Sequence, residues 1–401
     1  PARVSVRAAT AALPVGAATG RAQRSAGISV QSPDAGRFSP TPPDTVGGSE
    51  IVTTWCGSSP TSAATGKRPR GWLSAFVLFV GTLFFAVAAA LALWVGGRAG
   101  RLALWLTPLV AVSFPALHNF QFGQFHLPAV ALAVAAMLAF ERRRPALGGG
   151  LLAVAILGKV FPAVLLPLLA VRRRFRDLAW TAAWGVALTA LTYGVFGPAP
   201  FTAFFEYQLP RLGDGAAFAF DEAWPALAEL IVIDNQGVFG LAMKAGLGKG
   251  AAAQAGRLFG LLVLGIAAWA GWRTAGASKL WQGSSWLALL GLASLASPGA
   301  WGDYVPVVGV WLLTLLAEPM SRRRRTAVAW GVVATFQVFL LGTMPLGSWT
   351  PTALMLPVAA TGSLLLIALY AGALAYRPRP AAAASSQDLD DTQDLRVRRV
   401  A

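Results

Sequence analysis

From Trp72 onward the chain is a succession of apolar runs separated by short polar or arginine-rich breaks. The runs fall at roughly 72–95, 101–117, 124–140, 177–197, 254–274, 283–297, 302–317, 326–345 and 351–376. About 20 apolar residues cross the ~30 Å of a bilayer core as helix. Several runs are shorter than that, so tilt or flanking interfacial residues must help them across. The pattern predicts an all-α, polytopic integral membrane protein of about nine spans. Tryptophans near run ends (Trp72, Trp94, Trp180, Trp272, Trp286, Trp349) are expected to act as interface anchors.

Residues 1–70 break with this pattern. They are rich in Ala, Ser, Thr, Pro, Gly and Arg, with Phe38 and Trp55 as the only aromatics. No helical or strand period persists, and the charged start and apolar core of a signal peptide are missing, so the segment reads as disordered. The tail 377–401 reads the same way. Three parts are therefore expected: 1–70 atypical, 71–376 a membrane domain, and 377–401 a cytoplasmic tail.

Composition supports the membrane reading. Of 401 residues, 56% are hydrophobic and 12% charged, against about 25% charged in soluble domains, and mean hydropathy is +0.58. The net charge of +16 raises nucleic acid as a partner. The arginines, however, sit in short clusters between apolar runs, as in cytoplasmic loops, so no nucleic acid is expected. One cysteine, Cys56, excludes an internal disulfide, and two histidines, His118 and His126, make a histidine-rich metal centre a poor reading. No metal and no cofactor are expected.

The clusters ERRRP (Glu141 to Pro145), RRRFRD (Arg172 to Asp177), SRRRRT (Ser321 to Thr326) and YRPRP (Tyr376 to Pro380) are expected on the cytoplasmic side. Region 198–253, with six acids against three bases, is then an outer loop. Residue 72 begins outside, which calls for an earlier span that residues 1–70 do not contain. The stretch LLAVAILGKVFPAVLLPLLAVRRR (Leu151 to Arg174) would have both ends inside. A broken or re-entrant hairpin over 147–170 satisfies this, with Gly158–Lys159 as the break and Pro162 and Pro167 preventing regular helix beyond it. A single kinked span with one arginine cluster outside is the competing reading.

Four polar constellations interrupt the apolar background. LHNFQFGQFHLP (Leu117 to Pro128) offers Asn119, Gln121, Gln124 and His126, groups suited to hydroxyl-rich or phosphate ligands, or simply a wet helix end. Lys159 stands at membrane depth, where a cation costs roughly 2.5–3.5 kcal/mol and marks a functional site unless it snorkels. Its natural partner is an anionic lipid headgroup. DNQGVFGLAMKAG (Asp234 to Gly246) presents Asn235 and Gln236 before a short helix, with Asp234 also readable as a cap. SLASPGAWGDYVP (Ser294 to Pro306) sets Trp301 beside Asp303 and Tyr304, an indole and a carboxylate that can hold a sugar. Asp303 is equally readable as a helix-start acid.

In this order and spacing, GQFHLPAVALAVAA, ERRRPALGGGLLAVAILGKVFPAVLLPLL, DNQGVFGLAMK and SPGAWGDYVPVV resemble glycosyltransferase family 87 over about residues 72–376. These are GT-C-type membrane enzymes that include polyprenol-phosphate-mannose-dependent alpha-mannosyltransferases. The resemblance implies transfer of a hexose, often mannose, from a polyprenyl-phosphate sugar to a lipid or glycan acceptor outside the cytoplasmic membrane. It implies inversion by a carboxylate base and a cation at the leaving phosphate. On this chain that cation is Lys159. Asn119, Gln124, His126, Asn235, Gln236, Trp301 and Tyr304 would line the sugar or headgroup.

Two departures accompany the resemblance. The family's histidine two residues after the tryptophan is Asp303 here, the candidate base. The family's first span and its outer loop with a D-x-x-V-Y-like sequence have no counterpart, and Asp34, Asp44 and Glu50 sit in no matching context. Residues 1–70 are therefore expected to be a truncated or out-of-frame stand-in, with an inactive family member as one outcome. A transporter or lipid flippase of the cell envelope would also explain a broken helix and an intramembrane lysine.

Overall fold

The computed structural model describes residues 70–121, 123–214, 232–302, 305–318 and 352–375. The segment 1–69, the expected span 326–345 and the tail 377–401 lie outside the described residues. Within them every regular element is helical. The helices are α1 (Arg70–Val95), α2 (Gly97–Ala111), α3 (Phe114–Gln121), α4 (His126–Glu141), α5 (Pro145–Gly158) and α6 (Leu165–Val171). They continue as α7 (Phe175–Phe196), α8 (Ala199–Thr202), α9 (Leu209–Asp214), α10 (Val238–Lys244) and α11 (Lys249–Arg273), then α12 (Lys279–Leu295), α13 (Val307–Leu316) and α14 (Thr352–Ala375).

Four stretches are long and apolar enough to cross a bilayer: Ser74–Val95, Phe175–Phe196, Lys249–Arg273 and Leu356–Ala375. The run expected at 101–117 is bent by 54° between α2 and α3. Pro115 is the cause: it lacks an N–H and its ring crowds the carbonyl four residues back, at Ala111, where α2 stops. The spans expected at 124–140, 283–297 and 302–317 are helices of 16, 17 and 10 residues. The membrane core is therefore helical, with four or five full-length spans among the described residues. Part of the expected 198–253 loop is itself helical, as α8, α9, α10 and the start of α11.

Two helices form the centre. Nearly all of α4 is buried on every side, and so is nearly all of α12. Glycine brings the neighbours close. Gly148 rests on the Phe140 ring and Gly149 on the Trp180 backbone, so a Cβ at Gly149 would stand 2.6 Å from that backbone. The run Gly148–Gly150 thus lets α5 fit between α4 and α7. Trp286, expected at an interface, is fully buried and stacks on Trp94 at 4.9 Å. Trp272 is 72% exposed.

One end of the bundle gathers the arginines. Arg174 pairs with Glu141 and with Asp177. The Arg172 guanidinium donates to the Gly271 and Thr274 carbonyls and to the Thr274 hydroxyl. Arg273 donates to the Ala375 carbonyl at 2.8 Å, and Lys279 lies over the Trp94 ring. The ends of α1, α4, α6, α11 and α14 therefore meet the starts of α5, α7 and α12 here.

The 145–171 stretch is a hairpin. Helix α5 stops at Gly158, Lys159 is extended (φ −151°, ψ 128°), and a 3-10 turn over Phe161–Val164 leads into α6. The Arg174–Glu141 pair brings the two ends together, which excludes the single kinked crossing. Two details correct the expectation. Pro167 lies in the first turn of α6, where its missing N–H costs nothing, so a regular helix forms. The tip also reaches the far end of α4: the Phe161 ring stacks on His126, the first residue of α4, at 4.9 Å. Lys159 is thus level with the start of α4 instead of halfway along it.

Candidate functional site

The end opposite the arginines carries the polar motifs, and the structure joins them in two pairs. The first pair is the α3–α4 turn and the hairpin tip. Asn119 is fully buried. Its amide donates to the Pro115 carbonyl at 2.7 Å, its side-chain oxygen accepts from Leu127 N–H at 3.2 Å, and its carbonyl accepts from Gln124 N–H at 2.9 Å. Asn119 therefore shapes the entry to α4, with its amide committed to the backbone. Gln124 is half-buried on the turn it closes.

His126 is buried face to face with Phe161, two residues after Lys159 at the hairpin tip. Gly158 explains the residue before the lysine: a Cβ there would stand 2.1 Å from the Phe125 ring. Glycine admits that ring beneath the tip, and the extended backbone of Lys159 then turns the chain. The lysine is half-buried between two exposed neighbours, Gly158 and Val160. A cation half-withdrawn from water attracts an anion more strongly than one in bulk solvent.

The second pair is a clasp between DNQG and SPGAW. Asn235 and Trp301 form an antiparallel bridge, Gln236 N–H donates to the Ala300 carbonyl at 2.7 Å, and Gly302 N–H donates to the Asp234 carbonyl at 2.7 Å. The Asn235 amide donates to the Pro298 carbonyl, and its oxygen accepts from Gly237 N–H at 3.0 Å. Gly237 is pressed against the Ser297 and Leu295 carbonyls, 2.8 and 2.9 Å from where a Cβ would be. Asn235 and Gln236, expected at the sugar, are both buried and hold the backbone that carries Trp301. Trp301 itself is half-buried. Asp303 and Tyr304, the next candidates, lie outside the described residues.

Three contributors escaped the sequence reading. Lys244 donates to the Asn235 carbonyl at 2.7 Å and reaches the Ser363 hydroxyl at 3.5 Å. Ser363, from α14, donates to the Gln236 side-chain oxygen at 2.8 Å. Burial pulls Lys244 down to about 8, against the opposing pull of Asp234. The signal was spacing: Lys244 sits at the end of the quoted motif, where a helix begun at Val238 folds it back under Asn235. Gly240 lets that happen, since a Cβ there would strike Asn235. Phe161 is the third, visible only once the tip meets α4.

Among the described residues no group of three or more His, Cys, Asp and Glu side chains converges on a metal-sized site. No curated protein and no solved structure matches the chain. The model of glycosyltransferase family 87 matches residues 60–298. That span includes the turn before α4, the hairpin with Lys159 and the DNQG half of the clasp, and it stops at Pro298. The match covers more than half of the sequence, and the chain belongs to glycosyltransferase family 87.

Proposed function

We propose that this membrane glycosyltransferase moves a hexose, in the first instance mannose, from a polyprenyl phosphate to a lipid or glycan acceptor. The transfer takes place at the outer face of the cytoplasmic membrane. The observation that carries the reading is the position of Lys159: one half-buried cation at the tip of a closed hairpin, at the end of the bundle that bears the polar motifs.

A donor anchored by its polyprenyl chain presents its phosphate near the bilayer surface, where the tip lies. The acceptor hydroxyl attacks the anomeric carbon, the carbon–oxygen bond to phosphate breaks, and the polyprenyl phosphate leaves with the bonding electrons. The Lys159 ammonium stabilises charge as it develops on that phosphate. Asp303 takes the hydroxyl proton as general base. The clasp supports this role, because it fixes the backbone as far as Gly302. Trp301 and Tyr304 meet the sugar with aromatic surface, Gln124 with its amide, and Asn119, His126, Asn235 and Gln236 act by holding these groups in place.

The test is transfer of radiolabelled mannose from polyprenyl phosphate mannose into lipid by membranes bearing the chain. Lys159→Ala is expected to lower incorporation roughly 100-fold, with Lys159→Arg retaining part of it. Asp303→Asn is expected to abolish it, and excess chelator to leave it unchanged. Unaltered transfer in Lys159→Ala would sink the assignment of the phosphate site.

A further inference from the structure

Two turns at the arginine end are one motif made twice. Helix α4 passes through Arg142–Arg144 into α5, and α6 passes through Arg172–Arg174 into α7. In each, the first arginine N–H reaches the carbonyl four residues back (Arg142 to Leu138, 3.1 Å; Arg172 to Leu168, 3.2 Å). The second reaches three back and the third five back, all at 2.9–3.0 Å. The middle residues, Arg143 and Arg173, have φ of 56° and 54°. Glycine ordinarily fills that position after a helix, because a Cβ strains the left-handed backbone. Arginine stands there in both turns.

The turns are joined, and the acids beside them are already paired. The Phe140 carbonyl accepts from both Arg143 N–H and the Arg174 guanidinium. Glu141 and Asp177, the only acids between 141 and 177, are both engaged by Arg174. Arg142, Arg143, Arg144, Arg173 and Arg176 stay exposed. Apolar surface begins immediately beside them, with Leu147 52% and Phe175 64% exposed at the starts of α5 and α7. Guanidinium groups bordering bare hydrocarbon surface match a molecule with a phosphate at one end and acyl chains at the other.

We propose that the paired arginine turns bind the headgroups of anionic phospholipids, with phosphate on Arg143 and Arg173 and acyl chains along Leu147 and Phe175. The site lies at the opposite end from Lys159 and stands whether or not the sugar-transfer reading holds. The test titrates phosphatidylglycerol or phosphatidylcholine into the full chain in neutral detergent and follows the thermal midpoint. Phosphatidylglycerol is expected to raise the midpoint and phosphatidylcholine to leave it unchanged.

The Arg143→Gly/Arg173→Gly pair suits this test, because glycine relaxes both positive-φ positions and the fold should be kept. Its response should need on the order of 30-fold more phosphatidylglycerol, about fivefold per arginine removed. Arg142→Ala/Arg176→Ala, at unstrained positions, should shift the titration in the same direction. An unshifted titration in both pairs overturns the proposal. So does an equal response to phosphatidylcholine, or an equal response to glycerol phosphate, which would mark an anion site indifferent to acyl chains.

Discussion

Arg174 reaches back 33 positions to pair with Glu141 at 2.5 Å, and this contact decides the path of everything between them. It ties the exit of α6 to the exit of α4. The hairpin between them has its feet together and its tip, with Lys159, beside His126. The same guanidinium holds Asp177 at the start of α7, so one side chain fixes three helix ends.

Labelling from one side of a sealed vesicle checks this path. In a Cys56→Ser background, single cysteines replacing Arg143 and Arg173 are expected to react with an impermeant maleimide from the same side. A cysteine replacing Val160, 74% exposed at the tip, is expected to react only from the other. Opposite sidedness for the Arg143 and Arg173 positions would contradict the hairpin.

Gly237→Ala is expected to open the clasp. Its methyl group would press on the Ser297 and Leu295 carbonyls at under 3 Å, and both are backbone that cannot swing away. A destabilisation of about 1–3 kcal/mol follows from overpacking of this kind. Thermal unfolding measures it, and quenching of Trp301 emission should become easier in parallel. An unchanged midpoint would show that the bridge is dispensable.

Phe161→Ala separates tip geometry from tip charge. Removing the ring deletes the stack on His126 and a partly buried aromatic surface, while Lys159 keeps its charge. A loss of about 2–4 kcal/mol of stability is expected, with the donor KM raised more than kcat is lowered. A kcat effect equal to that of Lys159→Ala would instead place Phe161 at the reacting atoms.

Lys244 makes stability depend on pH with a definite sign. Its ordinary value is 10.5 and burial brings it to about 8 in the folded chain. Below pH 8 the lysine is charged whether folded or unfolded, and the full cost of burying the cation is present. Between 8 and 10.5 the folded form gives up its proton and the unfolded form keeps it, so stability rises with pH. The thermal midpoint of wild-type protein should climb across that window. Lys244→Met should flatten the climb.

The break at Gly158–Lys159 could be read from the sequence, because a lone lysine after a glycine in an apolar run is a local signal. The bend before Pro115 also has a local cause, but the apolar residues on both sides of it read as one continuous run. The backbone partners of Asn119, Asn235 and Gln236 could not be read. Amides that bind a ligand and amides that bind backbone look alike until the fold shows which donors lie opposite them. Lys244 and Ser363 sit 119 residues apart, and no spacing rule connects them. Trp286 shows the converse: its nearness to a helix end in sequence implied an interface, while packing placed it in the core.

Among the described residues helix α7 packs chiefly against α5, where Gly149 lies against the Trp180 backbone. Its other faces carry Val186, Leu191 and Val195, exposed by 71%, 62% and 64%. Mutational tolerance should therefore be lopsided. Those outward positions can exchange among valine, leucine, isoleucine and phenylalanine almost freely, since lipid has no shape to match. Position 149 admits no side chain at all. A library randomised over α5 and α7 should recover many sequences on the outer faces and a single residue at the contact line.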